Sequence, residues 1–148
     1  MQPKHILLTT DLSETAQRAF EPVCELARST GARITLLHVI FVLTEVPAGA
    51  VIGTPIGPTD YETDRRTAVH ALEEQARLLD ADLDVALRVI TGKNVAQTIV
   101  KYAREHDVDM IAMASHGRSG MRRMVLGSVA EGILRHANVP VLCFPPAA

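Results

Sequence analysis

Five short apolar runs, separated by stretches whose apolar residues recur at helical spacing, leave this chain few ways to fold. His5-Ile6-Leu7-Leu8-Thr9-Thr10 and Val108-Asp109-Met110-Ile111-Ala112-Met113 are almost continuously apolar, as strands covered on both faces must be. Leu83–Ile90 begins by alternating apolar and polar residues, the pattern of a half-covered edge strand. Arg33–Ile40 and Val139–Phe144 complete the set. Between the strands lie four helical patterns. Ser13 is placed to cap the first, whose inner face is Ala16, Ala19, Phe20, Val23, Leu26 and Ala27, and Gly31 is placed to end it. The second runs from about Asp60 to Leu79, with Ala68, Leu72, Ala76 and Leu79 on one face. Asn94 can cap the third, which turns Val95, Ile99, Val100 and Ala103 inward. The fourth starts at Ser128, where Ser128-Val129-Ala130-Glu131 reads as a capping box. Strands alternating with helices of this length imply right-handed crossovers and a parallel sheet, with His5–Thr10 and Val108–Ala114 as its central strands.

A length of 148 residues suits one domain spanning 1–148, able to bury roughly 70% of the surface of its unfolded chain. Residues 42–60, with Pro47, Gly49, Gly53, Pro55, Gly57 and Pro58, read as a long loop inside that domain. A formal net charge of −2 argues against a nucleic-acid footprint. No apolar run reaches membrane-spanning length, so the expectation is a cytoplasmic protein without membrane attachment. Cys24 and Cys143 fall on apolar faces and read as buried, reduced thiols.

The chemistry concentrates between the fourth strand and the fourth helix. Ala114-Ser115-His116-Gly117-Arg118-Ser119-Gly120 leads on to Gly127-Ser128, and no acidic residue lies between Asp109 and Glu131. Arg118, Arg122 and Arg123 make this segment locally basic in a slightly acidic chain. A glycine-bearing loop that runs from the carboxyl end of a strand to a helix N-terminus suits phosphate, because unpaired helix N–H groups point at the anion. In doubly wound sheets ligands bind outside the carboxyl ends where the strand order reverses, which would bring Asp11 across from this loop. Competing motifs fail. Thr91-Gly92-Lys93-Asn94 mimics the end of a Walker loop, but Leu87 stands where its first glycine belongs. There is no G-x-G-x-x-G after the first strand, no G-x-S-x-G elbow, and no histidine spacing suited to a metal. His116 reads as a loop residue without a catalytic role, and His38 as a satisfied core histidine.

With Ile6-Leu7-Leu8-Thr9-Thr10-Asp11-Leu12-Ser13, Leu36-Leu37-His38-Val39, the Ser115–Gly120 loop, Leu126-Gly127-Ser128-Val129-Ala130-Glu131 and Val139-Pro140-Val141-Leu142, the chain resembles the universal stress protein family over nearly its whole length. The resemblance implies a single-domain α/β fold of the adenine nucleotide alpha hydrolase-like type. Its five-stranded parallel sheet would run in the order 3-2-1-4-5, with helices on both faces. A homodimer joined through the last strand, at Val139, Val141 and Cys143, is also implied. ATP-binding members carry G-x2-G-x9-G-[S/T]; here Ala114 stands at the first glycine, followed by Gly117, Gly127 and Ser128. By resemblance Thr9, Thr10 and Asp11 line the adenosine pocket, with Asp11 near the ribose and Val39 against the adenine. Phosphates and magnesium would lie along Gly117, Arg118, Gly127, Ser128 and Val129, and Met113, Ala114 and His116 complete the nucleotide-binding set. The implied function is a nucleotide-binding stress-response regulator or sensor without catalytic residues. A slow ATPase and a nucleotide-free dimeric scaffold are the alternatives. Alanine at position 114 costs little if its φ is negative, as a strand-like setting suggests.

Overall fold

The computed structural model describes residues 2–43, 58–115 and 126–145, and the side chains of 58–61 are not part of that description. The strands are β1 (His5–Thr9), β2 (Arg33–Phe41), β3 (Val85–Gly92), β4 (Met110–Ala114) and β5 (Val141–Phe144). All pair in parallel, in the order β3-β2-β1-β4-β5, as expected from the family resemblance. Helices α1 (Phe20–Thr30), α2 (Pro58–Ala76), α3 (Val95–Glu105) and α4 (Ser128–His136) make the crossovers.

Side-chain alternation along the strands divides the core into two layers. Ile6, Leu8, Ile34, Leu36 and Ala112 pack with Phe20, Val23 and Leu72 on one face. Leu7, Leu37, Val39, Ile111 and Met113 pack with Ile99, Val100 and Ile133 on the other. Every residue of β1 is buried, as are Met110–Met113, so the continuous apolar runs do form the centre of the sheet. Burying a leucine such as Leu7 completely is worth about 1.5–3 kcal/mol, which ties strand order to stability. At the edges, Val89 is the one buried residue of β3, and all four residues of β5 are half-buried.

Several element boundaries differ from the sequence reading for local reasons. No single helix runs on from Ser13. A 3-10 helix at Thr15–Ala19 comes first, and its start is held by the Ser13 hydroxyl accepting the Ala16 N–H at 3.3 Å. The α-helix begins only at Phe20, because Pro22 has no N–H to give to the Arg18 carbonyl. Val108 and Asp109 precede β4, the Val108 N–H closing the α3 turn onto the Ala103 carbonyl at 3.1 Å. Val139 and Pro140 precede β5; Pro140 cannot donate but its carbonyl accepts the Ile111 N–H at 3.0 Å. β3 starts at Val85 and reaches Gly92, and α2 ends at Ala76 although Leu79 beyond it is buried. Gly31 ends α1 with a left-handed φ of 75°, and Asn94 caps α3 by accepting the Gln97 N–H, both as expected. Cys24 is buried, but Cys143 is only half-buried; burial pushes both thiols up, which keeps them protonated. Among the described residues no helix is long and apolar enough to cross a membrane.

Candidate functional site

β1, β2 and β4 end at different heights, and a cavity of about 540 Å3 lies at the carboxyl end of the sheet. Its floor is Thr9, Thr10 and Asp11 after β1, Val39 from β2, and Met113 and Ala114 from β4. Its far wall is the start of α4, with Gly127, Ser128 and Val129. Nine residues singled out in the sequence thus share one cavity, while His116, Gly117 and Arg118 lie outside the described residues.

The start of α4 departs from the capping-box expectation. Gly127, not Ser128, is the N-cap, and no side chain caps the helix. The Gly127 carbonyl accepts the Glu131 N–H at 2.9 Å, making Ser128 the first helical residue. The Gly127 N–H donates to the Ser115 carbonyl at 3.0 Å, which pins the helix start against the end of β4. A Cβ on Gly127 would come within 3.3 Å of that carbonyl, so close approach, not positive φ, favours glycine here. The Ser128 hydroxyl is therefore released from capping. The N–H groups of Ser128, Val129 and Ala130 have no backbone partner among the described residues, as the first turn of a helix requires.

Ala114 ends β4 and is not among the non-glycine residues with positive φ. A glycine is not needed there on conformational grounds.

After β1 the backbone turns tightly. Asp11 Oδ1 accepts both the N–H of Ser13, at 3.0 Å, and its hydroxyl. The Thr10 hydroxyl accepts the Leu12 N–H at 3.0 Å, and Leu12 adopts a φ of 69°, unusual for leucine. His38 lines the same cavity and, half-buried instead of in the core, places Nδ1 2.9 Å from the Thr10 carbonyl, so that ring nitrogen has a partner.

Sequence reading passed over two residues. Ser115 lines the cavity, is 6% exposed, and its hydroxyl is the one buried side-chain polar atom among the described residues without a hydrogen-bond partner. A hydroxyl left in that state is costly unless something else completes it. Gln75, on α2, is buried against the turn after β1. A polar residue directly after an apolar strand was a visible signal for Ser115; nothing local marked Gln75. Among the described residues no group of three or more histidine, cysteine or carboxylate side chains could hold a metal ion.

Known proteins resemble this chain along its length. The universal stress protein family model matches residues 3–145. Universal stress protein MJ0577 of Methanocaldococcus jannaschii is 30% identical over 152 residues, which cover 94% of this chain and 93% of the relative. Its solved structure superimposes with a TM-score of 0.77 at 27% identity, covering 100% of this chain and 99% of that one. Universal stress protein A homolog 1 of Coxiella burnetii is 30% identical over 142 residues, 96% of each chain. A universal stress protein from Archaeoglobus fulgidus in complex with dAMP shares the fold, with a TM-score of 0.61 at 21% identity, covering 97% of this chain and 98% of that one. With its sheet order, its cavity and a family model matched almost from end to end, the chain belongs to the universal stress protein family.

Proposed function

We propose that the protein is a regulatory module, a single domain that binds an adenine nucleotide, ATP with magnesium, in the carboxyl-end cavity without appreciable turnover. The observation that carries this reading is the convergence of unlike binding groups on one cavity of about 540 Å3, a volume suited to a nucleotide. The unpaired N–H groups of Ser128–Ala130 favour phosphate. The orphaned Ser115 hydroxyl can donate to a ligand oxygen. Val39, Val95 and Ile99 offer an apolar wall for a base. The Archaeoglobus relative's complex with dAMP makes an adenine nucleotide the first ligand to test. Asp11 is the one carboxylate among the described lining residues, and the reading assigns it to ribose, which leaves no described base for a water attacking the γ-phosphate.

Magnesium-ATP at a hundredfold excess over its Kd should stabilise the fold by about 2.7 kcal/mol. For a chain of this size that is a rise in Tm of roughly 5–11 °C. Gly127→Val should abolish the rise, because the added side chain meets the Ser115 carbonyl and shifts the helix start. Absence of any shift in the folded wild type at millimolar ATP favours the nucleotide-free scaffold, and ADP accumulating over hours favours the slow ATPase. We also propose a homodimer through β5, with Val139 beside it, since an apolar edge strand with half-buried Val141 and Cys143 invites pairing. A solution mass of one chain at micromolar concentration would end that idea.

A further inference from the structure

Gln75 is a polar residue on the buried face of α2, in line with Ala68, Leu72 and Leu79. It is 5% exposed, and both ends of its amide are used. Oε1 accepts the Thr10 hydroxyl at 2.6 Å, and Nε2 donates to the Ser13 carbonyl at 3.1 Å. These two bonds straddle Asp11 and Leu12. The same Thr10 hydroxyl accepts the Leu12 N–H, so one glutamine closes a ring of hydrogen bonds around a turn in which leucine holds a left-handed φ of 69°. Such a backbone persists only where its surroundings over-determine it, and such residues gather at functional sites.

The turn sets Asp11 among the residues that line the cavity. Oδ1 is occupied by Ser13, and Oδ2 has no hydrogen bond among the described residues. We infer that Gln75 is a positioning residue which, by clamping Thr10 and Ser13, aims Asp11 Oδ2 at a ligand hydroxyl and so makes the site select ribose over deoxyribose. The inference rests on the nucleotide reading above. Gln75 touches no ligand itself. Its effect passes through a turn 65 residues away in sequence, and α2 thereby bears on the site although none of its described side chains lines the cavity.

The test is calorimetric titration of the full chain with magnesium-ATP and with its 2′-deoxy and 3′-deoxy analogues. Wild type should bind ATP at least about tenfold more tightly than one of the analogues, the size of a hydroxyl-to-carboxylate hydrogen bond. Gln75→Met, which keeps length and apolar bulk but makes neither bond, should reduce that ratio below about threefold, as should Asp11→Ala. Thr10→Val cuts the same clamp from the strand side and should do likewise. Wild-type discrimination that persists in Gln75→Met, even with ATP and analogues all weakened or Tm lowered, means the residue is merely structural and overturns the inference alone. ATP binding without discrimination in wild type also overturns it while leaving the nucleotide reading intact. No binding of any of the three nucleotides overturns both.

Discussion

The two ends of this sheet are built from the same strands yet treat their polar groups in opposite ways. At the amino end polar side chains tie strands together. Asp109 Oδ2 accepts the N–H groups of Lys4 and His5 at 2.8 and 2.9 Å, joining the two central strands where they start. His5 is buried, with Nδ1 3.1 Å from the His106 carbonyl and Nε2 2.8 Å from the Thr35 hydroxyl. Nδ1 lies between the His106 carbonyl, which accepts, and the Arg33 guanidinium 3.2 Å away, which donates, while Nε2 meets a hydroxyl that can do either; both ring nitrogens have a partner. At the carboxyl end the Ser115 hydroxyl is buried and unpartnered, the first N–H groups of α4 have no backbone partner among the described residues, and Leu12 is held at positive φ. One end commits its polar groups to the fold; on the nucleotide reading, the other keeps them for a ligand.

The largest effect that could break this contrast comes from Asp109→Ala. Removing a charged acceptor shared by two backbone donors should cost about 2 kcal/mol. That corresponds to a fall in Tm of roughly 4–8 °C, while ATP affinity should hold within about twofold. A comparable loss of affinity would mean that the two ends are not independent. Ser115→Ala should do the reverse. Deleting an orphaned hydroxyl leaves Tm equal or higher, but ATP binding should weaken by about fivefold, the loss of roughly 1 kcal/mol of hydrogen bonding. A Tm that falls with affinity unchanged would show that Ser115 serves the fold.

The smallest effect concerns pH. Burial, and then the neighbouring Arg33 guanidinium, hold the His5 imidazole below its usual range, against the weaker opposite pull of the His106 and Asp107 backbone and of Asp109. Its folded pKa is lowered, so near pH 6.5 the unfolded chain takes up the proton first. The stability that the neutral ring contributes is complete above pH 6.5 and is lost as pH falls through the folded pKa. His5→Gln should flatten this acid limb, measured as denaturation midpoint against pH between 7 and 5. A limb as steep as in wild type would assign it to the other titrating groups.

Legibility in the sequence followed the range of the interaction. The two-sided burial of β1 and β4 was written in their apolar runs, because covering both faces of a strand leaves little place for polar residues without a partner. Gly31 and Asn94 were readable because a left-handed helix end and a side-chain cap are decided within three residues. The α4 cap was misplaced by one residue for the opposite reason. Ser128 and Glu131 satisfy the capping pattern, but the Ser115 carbonyl holds the Gly127 N–H and moves the helix start. Of the site, the residues beside apolar runs were found and those that act across the fold were not.

By itself, the sequence determined which segments must be buried and which must turn. Those choices depend on side-chain size, polarity and backbone freedom over a few neighbours. Only the tertiary structure decided that Gln75 reaches across 65 residues to Thr10, and that Ser115 is buried without a partner. It also decided that Asp109 ties down the start of β1. Hydrogen bonds need both partners within about 3 Å, and no pattern along one chain states which distant groups the packing of a sheet will bring that close.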